Sequence, residues 1–123
     1  MKPIIKFLIL ALFSTQLNFA QIIDQKLIST GSVINLTATP KRGIKKNDII
    51  YFVGKDLQTI SAYKNNKLLW QTNVISICGK PKVGESKIRY FKYKSGKLLV
   101  IMGKHNYAEI NVTDGKTSFL GSD

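Results

Sequence analysis

The chain has 123 residues, of which 19 are lysine or arginine and 7 are aspartate or glutamate, so its formal net charge is +12 at pH 7. This length suits one domain with one hydrophobic core. The single cysteine, Cys78, excludes an intramolecular disulfide, and the single histidine, His105, excludes a metal site built from several histidines.

The first twenty residues have the layout of a secretory signal peptide. Lys2 and Lys6 precede an apolar run over residues 7–13, and a small residue, Ala20, ends the stretch. The run is well short of the roughly 20 residues that span a bilayer, so we expect cleavage. Residues 21–123 then form a single all-β domain in the periplasm or outside the cell, with a charge of +10 once the two lysines are lost and no transmembrane segment.

Short β-rich runs separated by turn-forming residues follow from Leu27 onward. No segment has a sustained apolar period of three to four residues, which argues against long helices. The pattern predicts an antiparallel all-β meander of about seven to eight strands. The predicted strands are 27–38, interrupted at Gly31, and then 48–53, 58–64, 67–74, 86–94, 97–102, 107–112 and 116–120.

Turns and loops separate these strands. The residue pairs that tolerate positive φ, and so predict tight hairpins, are Asn65-Asn66, Ser95-Gly96 and Asp114-Gly115. Residues 39–47 are predicted to be a loop, because Pro40 and Gly43 punctuate them and their charges do not alternate. Residues 79–84 form a second predicted loop.

An internal repeat appears when the chain is shifted by 49 residues along itself. The aligned stretches are 50–55 (IYFVGK) with 99–104 (LVIMGK), and 67–70 (KLLW) with 116–119 (KTSF). Two copies of a unit of three to four strands follow. Between these stretches, Ile60 and Ala62 are out of phase with Ala108 unless a gap is placed, because a slip of one residue reverses the buried face.

The first copy resembles a repeat of the pyrroloquinoline-quinone-type (PQQ-like) β-propeller. The resemblance rests on 49–54 (IIYFVG), on 60–64 (ISAYK) and on 66–70 (NKLLW), which ends in tryptophan. It covers residues 48–120, which is fewer than two blades, whereas a closed propeller needs at least about four. It therefore implies two similar units in a small sandwich, an open curved sheet or a partly closed barrel. The family's quinone cofactor and dehydrogenase chemistry are not carried over.

Two aromatic features have both a structural and a ligand-binding interpretation. The resemblance implies that Trp70 packs between units, and ligand stacking is the alternative. Residues 86–94 interleave aromatic and cationic side chains, as in a platform that stacks a nucleic-acid strand or a sugar. Apolar residues on both faces, Ile88 with Tyr90 and Phe91 with Tyr93, instead favour a strand that is covered on both sides.

The basic residues are lysines except for Arg42 and Arg89. Lysine lacks the planar fork that reads guanine or grips phosphate with two bonds, so sequence-specific nucleic-acid recognition is not expected. The densest basic cluster and a second patch downstream are candidate contacts for phosphate or carboxylate groups, with solvated loops as the alternative. These candidate binding residues are Lys41, Arg42, Lys45, Lys46, Lys80 and Lys82.

The mature sequence has no recognisable catalytic constellation. His105 lies in a predicted turn, and the carboxylates are spread over turns and strand ends without a close pair. Cys78 lies in an apolar stretch, which predicts a buried small hydrophobic residue. We therefore predict no enzyme activity, no cofactor and no metal site.

The sequence thus predicts a small, exported, basic, non-catalytic binding protein whose partner is an acidic protein or an anionic envelope polymer. Two other functions stay open. One is a structural β-repeat protein that forms a homo-oligomer through sheet edges, with Trp70 and Phe119 in the core. The other is an enzyme of unknown class.

Overall fold

The computed structural model describes residues 23–123, so the predicted signal peptide over residues 1–20 lies outside the described residues. Ten β-strands form two five-stranded sheets that share one main hydrophobic core. This open sandwich confirms the predicted all-β meander, and its strands close no barrel within the part of the chain that the structure describes. No helix of residues 23–123 is long and apolar enough to cross a membrane.

Each sheet consists of a four-stranded antiparallel meander and one added strand. The strands are β1 (Ile28–Ser29), β2 (Val33–Asn35), β3 (Gly43–Lys46), β4 (Ile49–Val53), β5 (Thr59–Lys64), β6 (Lys67–Asn73), β7 (Ile88–Lys94), β8 (Lys97–Met102), β9 (Asn106–Asn111) and β10 (Thr117–Ser122). The first sheet has the order β1-β3-β4-β5-β6, and the second has the order β10-β9-β8-β7-β2. The two meanders, β3 to β6 and β7 to β10, are the two similar units that the sequence predicts.

The N-terminal segment supplies the added strand of both sheets. A 3-10 turn over Gln25–Leu27 leads into β1, and the Asp24 side chain accepts a hydrogen bond from the Lys26 N–H at 3.0 Å at its start. β1 pairs in parallel with β3, whereas β2 pairs antiparallel with β7 in the other sheet. The predicted interruption at Gly31 therefore separates two strands that belong to different sheets.

The prediction that residues 39–47 form a loop is wrong for their second half, where β3 forms. Asn47 and Asp48 have φ values of 52° and 65°, so they make the tight turn between β3 and β4. Ile44 is fully buried, but the two lysines that follow it hide the apolar alternation of the strand. The turn signal of the Asn-Asp pair is the feature that identifies this hairpin.

A short helix, α1 (Val74–Cys78), follows β6 where the sequence predicted the end of a strand. The Asn73 side chain caps it by accepting a hydrogen bond from the Ser76 N–H at 2.9 Å. The first two residues of α1 are buried in the core, whereas Ile77 is 57% exposed. Cys78 is half-buried at the edge of the core, less buried than predicted.

The two meanders differ in one connection, which explains why the sequence repeat aligns only with a gap. The equivalent core-facing pairs are Tyr51 with Ala62 in the first sheet and Val100 with Ala108 in the second. The connection between β4 and β5 in the first sheet has six residues, 54–59. The equivalent connection between β8 and β9 in the second sheet has three residues, 103–105. A gap in this connection brings the buried faces of the two units back into phase.

A β-bulge in β7 decides which of its side chains enter the core. The register shifts between Ile88 and Tyr90, so the two residues do not share a face as the sequence predicted. Ile88 and Phe91 are buried between the sheets, with exposed fractions of 1% and 0%. Tyr90 and Lys92 lie on the outer face of the second sheet, beside Leu99.

Trp70 is buried and connects the two units. Its Nε1–H donates to the carbonyl of Val112 at 2.8 Å, and its ring centroid lies 6.1 Å from that of Tyr51. Burial, together with a smaller contribution from the neighbouring Tyr93, raises the pKa of Tyr51 to about 12. Phe119 is 46% exposed, so the expectation that it lies in the core is wrong.

A second, smaller hydrophobic cluster lies on the outer face of the first sheet. Ile23, Ile28 and Tyr63 form its buried centre, and Ile50, Phe52 and Leu68 pack against them. Ile23 and Ile28 belong to the N-terminal segment, so the chain itself covers this outer face.

Candidate functional site

A cavity of about 730 Å³ lies at one end of the sandwich, where residues 83–87 meet the connection 103–105. Its walls carry four cationic side chains and one carboxylate. The charged residues are Arg42, Glu85, Lys87, Arg89 and Lys104, and the other lining residues are Leu36, Thr37, Leu57, Val83, Gly84, Ile88 and Gly103. The cavity therefore combines an apolar floor with an excess of positive charge.

Both arginines of the chain line this cavity. Arg42 precedes β3, and its main chain ties the first sheet to the N-terminal segment. Its N–H donates to the Leu27 carbonyl at 2.8 Å, and its carbonyl accepts from the Val53 N–H at 2.9 Å. Arg89 lies in the bulge of β7. Because a guanidinium presents a planar fork of donors, this pair is suited to carboxylate or phosphate groups.

The Arg89 side chain is held in place by the connection 103–105. Its Nε donates to the Gly103 carbonyl at 2.5 Å, and its Nη2 donates to the Lys104 carbonyl at 2.9 Å. These bonds leave its Nη1 without a partner among the described residues. Arg89 is therefore oriented before a ligand arrives, which reduces the entropy lost on binding.

The cavity wall is also fixed by close backbone packing. The Gly103 N–H donates to the Lys87 carbonyl and the Lys104 N–H donates to the Val83 carbonyl, both at 3.0 Å. Gly103 has a φ of 56°, and a Cβ there would lie 2.5 Å from the Cβ of Pro81. Only glycine can be accommodated at this position, because any side chain would clash with Pro81. The backbones of the two loops beside Arg89 can therefore pack in close contact.

Glu85 is the one acidic side chain that lines the cavity, and it does not cancel the positive charge of the four cationic side chains. Glu85 pairs with Lys87 at 3.2 Å, but the two side chains are 80% and 50% exposed, so water screens their attraction. The side chains of Arg42 and Lys104 form no hydrogen bond or ion pair with another described residue. Positive charge therefore remains available in the cavity for an acidic ligand.

The fold divides the basic cluster that the sequence predicted as a binding site. Arg42 lines the cavity, but two of its neighbours hold the N-terminal segment. Lys41 Nζ donates to the carbonyls of Lys26 and Ile28 at 3.3 and 3.2 Å, and Lys46 Nζ lies 3.4 Å from the Thr30 carbonyl. Lys41 and Lys46 therefore have structural contacts that the sequence did not indicate.

The other predicted binding residues lie elsewhere. Lys45 lines a separate cavity of about 280 Å³ beside Asp48. Lys80 and Lys82 line a third cavity of about 410 Å³, together with Cys78 and His105. The six predicted residues thus form no single patch, and only Arg42 belongs to the cavity of the two arginines.

The cavity of Lys80 and Lys82 also contains the only histidine and cysteine of the chain. His105 Nδ1 lies 3.3 Å from Asp123 Oδ1, and a hydrogen bond from the Tyr107 hydroxyl to Asp123 Oδ2 raises the pKa of Tyr107. Burial raises the pKa of the Cys78 thiol, which keeps it protonated and a weak nucleophile at neutral pH. Residues 23–123 contain no group of three or more His, Cys, Asp or Glu residues that could hold a metal ion.

The binding residues predicted from the sequence did not include Lys87, Arg89 and Lys104, although Lys87 and Arg89 lie in the stretch 86–94 that was interpreted as a possible stacking platform. One feature of the sequence distinguishes Arg89 as a candidate site residue, because it is one of only two arginines among many lysines. Its proximity to Arg42 depends on the packing of one sheet on the other, which no local pattern reports. Lys104 had a weaker signal as part of the repeated Gly-Lys pair.

Comparison with family models, curated proteins and solved structures gave no match to this chain.

Proposed function

We propose that the mature chain is an exported, non-catalytic binding protein that recognises an acidic protein or an anionic envelope polymer through the cavity of Arg42 and Arg89. The observation that carries this proposal is the meeting of both arginines with Lys87 and Lys104 around one cavity. The chemistry shared by the two kinds of partner is a carboxylate or phosphate group.

The arrangement supports binding in two ways. The fork of Arg89 is oriented by two carbonyls, so it can offer its remaining donors to an oxyanion without rearrangement. Arg42 and Lys104 add charge without a competing ion pair among the described residues. The high net charge of the whole chain raises the rate of encounter with a polyanion, and the cavity then gives the contact a defined geometry.

The test is calorimetric titration of the mature chain with two probes, poly-L-glutamate and inorganic polyphosphate, at low and high salt. We expect binding of at least one probe that weakens as salt is added, because exposed charge pairs are screened over roughly 10 Å at 0.1 M salt. Preference for poly-L-glutamate would assign the site to acidic proteins, and preference for polyphosphate would assign it to a phosphate-containing polymer. Absence of binding to both probes would contradict the proposal.

A matched pair of variants separates the cavity from general charge. Arg42→Gln with Lys104→Gln removes two cavity charges without removing a structural hydrogen bond of these side chains, and we expect affinity to fall about tenfold or more. The control, Lys64→Gln with Lys67→Gln, removes two exposed charges at the hairpin between β5 and β6, at the end of the first sheet opposite the cavity, and should cost less than about threefold. Equal losses in both double variants would show that binding follows net charge alone.

A further inference from the structure

The cavity of the two arginines adjoins a second basic cavity. The arginine cavity is the one lined by Arg42 and Arg89, and the lysine cavity is the one lined by Lys80 and Lys82. Val83 lines both of them and is 52% exposed, so the boundary between the two cavities is open to solvent. A ligand longer than one cavity can therefore extend from the first into the second across Val83.

The relative position of the two cavities is set by the packing of the loop 79–84 against the connection 103–105. The Lys104 N–H donates to the Val83 carbonyl at 3.0 Å. A Cβ at Gly84 would lie 2.7 Å from the Lys104 nitrogen, and a Cβ at Gly103 would lie 2.5 Å from the Cβ of the buried Pro81. This close backbone contact exists before a ligand binds, which reduces the entropy lost when one ligand occupies both cavities.

The excess of positive charge continues from the arginine cavity into the lysine cavity. Lys80 and Lys82 form no hydrogen bond or ion pair with another described residue. Each cavity has one carboxylate among the described residues, Glu85 in the first and Asp123 in the second. Asp123 already lies 3.3 Å from His105 Nδ1, on the side of the lysine cavity away from Val83 in the chain. The lysines are therefore available to an acidic ligand.

Exposed apolar side chains accompany these charges. Val83 and Phe119 are 52% and 46% exposed, and Phe119 lines the lysine cavity. A polymer that presents only phosphate or carboxylate groups would leave both side chains uncovered. A protein segment with apolar residues among its carboxylates would cover them and gain the free energy of apolar burial. The combination therefore favours an acidic protein over an anionic polymer.

We propose that one extended segment of an acidic protein occupies both cavities, with carboxylates at the cations of each cavity and an apolar side chain on Val83. This inference rests on the proposed function and narrows its two kinds of partner to one. Taken as spheres, cavities of about 730 and 410 Å³ are about 11 and 9 Å across, so an extended segment of about six residues, at about 3.3 Å per residue, spans both.

The test is calorimetric titration of the mature chain with two end-blocked nine-residue peptides of equal charge. One has three repeats of Glu-Glu-Leu and the other has three repeats of Glu-Glu-Ser. We expect the leucine peptide to bind at least about fivefold more tightly, because its leucines are buried against Val83 and Phe119. Inorganic polyphosphate, compared per unit of charge, should bind more weakly than the leucine peptide.

Two variants with matched controls locate the segment. Lys80→Gln with Lys82→Gln should weaken binding of the leucine peptide about tenfold, whereas Lys64→Gln with Lys67→Gln should weaken it less than about threefold. Val83→Ser should abolish the preference for leucine over serine. Val33→Ser changes a valine that is 46% exposed and lines neither cavity, so it should keep the preference. Circular dichroism checks folding, and Val83→Ser remains informative if the double lysine variant unfolds.

The outcomes separate this inference from the proposed function. Binding that Arg42→Gln with Lys104→Gln weakens, but that Lys80→Gln with Lys82→Gln weakens no more than the control, would overturn the two-cavity segment and leave the arginine cavity as the binding site. Equal affinity for the two peptides, or tighter binding of polyphosphate, would overturn the choice of an acidic protein and assign the site to an anionic polymer. Only absence of binding to every probe would contradict both.

Discussion

The outer faces of the two sheets have similar strands but different surroundings. On the first sheet, Ile23 and Ile28 of the N-terminal segment close over Tyr63 and its neighbours. On the second sheet, Tyr90, Leu99 and Ile101 have no such cover from the described residues. The two similar units therefore differ in burial: the N-terminal segment covers the outer face of the first sheet, and no described residue covers the outer face of the second in this way.

The connection between β4 and β5 and the equivalent connection between β8 and β9 are also held by different side chains. In the first sheet, the six-residue connection 54–59 is held by the Asp56 carboxylate, which accepts hydrogen bonds from Gln58 and Thr59. In the second sheet, the three-residue connection 103–105 is held by Arg89. A local carboxylate closes the first hairpin, whereas a guanidinium that also lines the cavity closes the second.

The largest expected effect comes from removing the cover of the first sheet. Ile28→Ala should lower the free energy of unfolding by about 2–4 kcal/mol, because it leaves a cavity in a buried cluster. Ile101→Ala, the matched truncation on the second sheet, should cost about 1 kcal/mol or less. Urea denaturation measures the loss of unfolding free energy in both variants. Equal losses would contradict the difference in burial between the two faces.

The contact between the sheets is tested by the difference between two variants, which is the next largest expected effect. A Cβ at Gly115 would lie 2.7 Å from the Trp70 ring, whereas a Cβ at Gly96 would meet nothing within 4 Å, and the two glycines have φ values of 78° and 77°. Gly96→Ala therefore measures backbone strain alone, about 1–2 kcal/mol. Gly115→Ala should add about 1–3 kcal/mol of overpacking against Trp70. If thermal denaturation gives the same loss for both variants, Trp70 does not hold the two units together as described.

The smallest expected effect concerns the Asp56 connection. Burial alone would raise the pKa of Asp56, but hydrogen bonds from Gln58 and Thr59 outweigh it and lower the pKa below its ordinary 3.8. A group with a lowered pKa in the folded state stabilises the fold above its unfolded pKa, and this contribution is lost as the pH falls through its folded pKa. Asp56→Asn should therefore lower the melting temperature by about 2 °C at pH 6, with the difference from wild type shrinking below pH 4. A difference that stays constant with pH would contradict this role.

The fold was largely predictable because short-range turn chemistry marks most of its hairpins. Asn65 and Asn66 have φ values of 52° and 63°, and Ser95 has 51°, so the pairs identified from the sequence do form turns. β3 was missed because its lysines interrupt the apolar alternation. The faces of β7 were misassigned because a bulge is not visible in a pattern of period two.

The candidate site was less predictable, because closeness in sequence is a poor guide to closeness in a β-sandwich. Lys41, Lys45 and Lys46 are neighbours of Arg42 along the chain, yet none of them lines its cavity. Alternation explains part of this, since Lys45 lies opposite Ile50 and Lys46 opposite Ile49, on different faces of the sheet. Arg89 reaches the cavity from the other sheet through contacts that are entirely long-range.

An NMR titration of backbone amides in the mature chain with a short oligoglutamate tests the central claim most directly. If the cavity of the two arginines is the binding site, the largest shift changes will fall on Gly84, Arg89, Gly103 and Lys104, and they will saturate together. Changes of similar size on remote lysines such as Lys64 and Lys67 would show that the chain attracts anions through its overall charge, and would contradict a defined site.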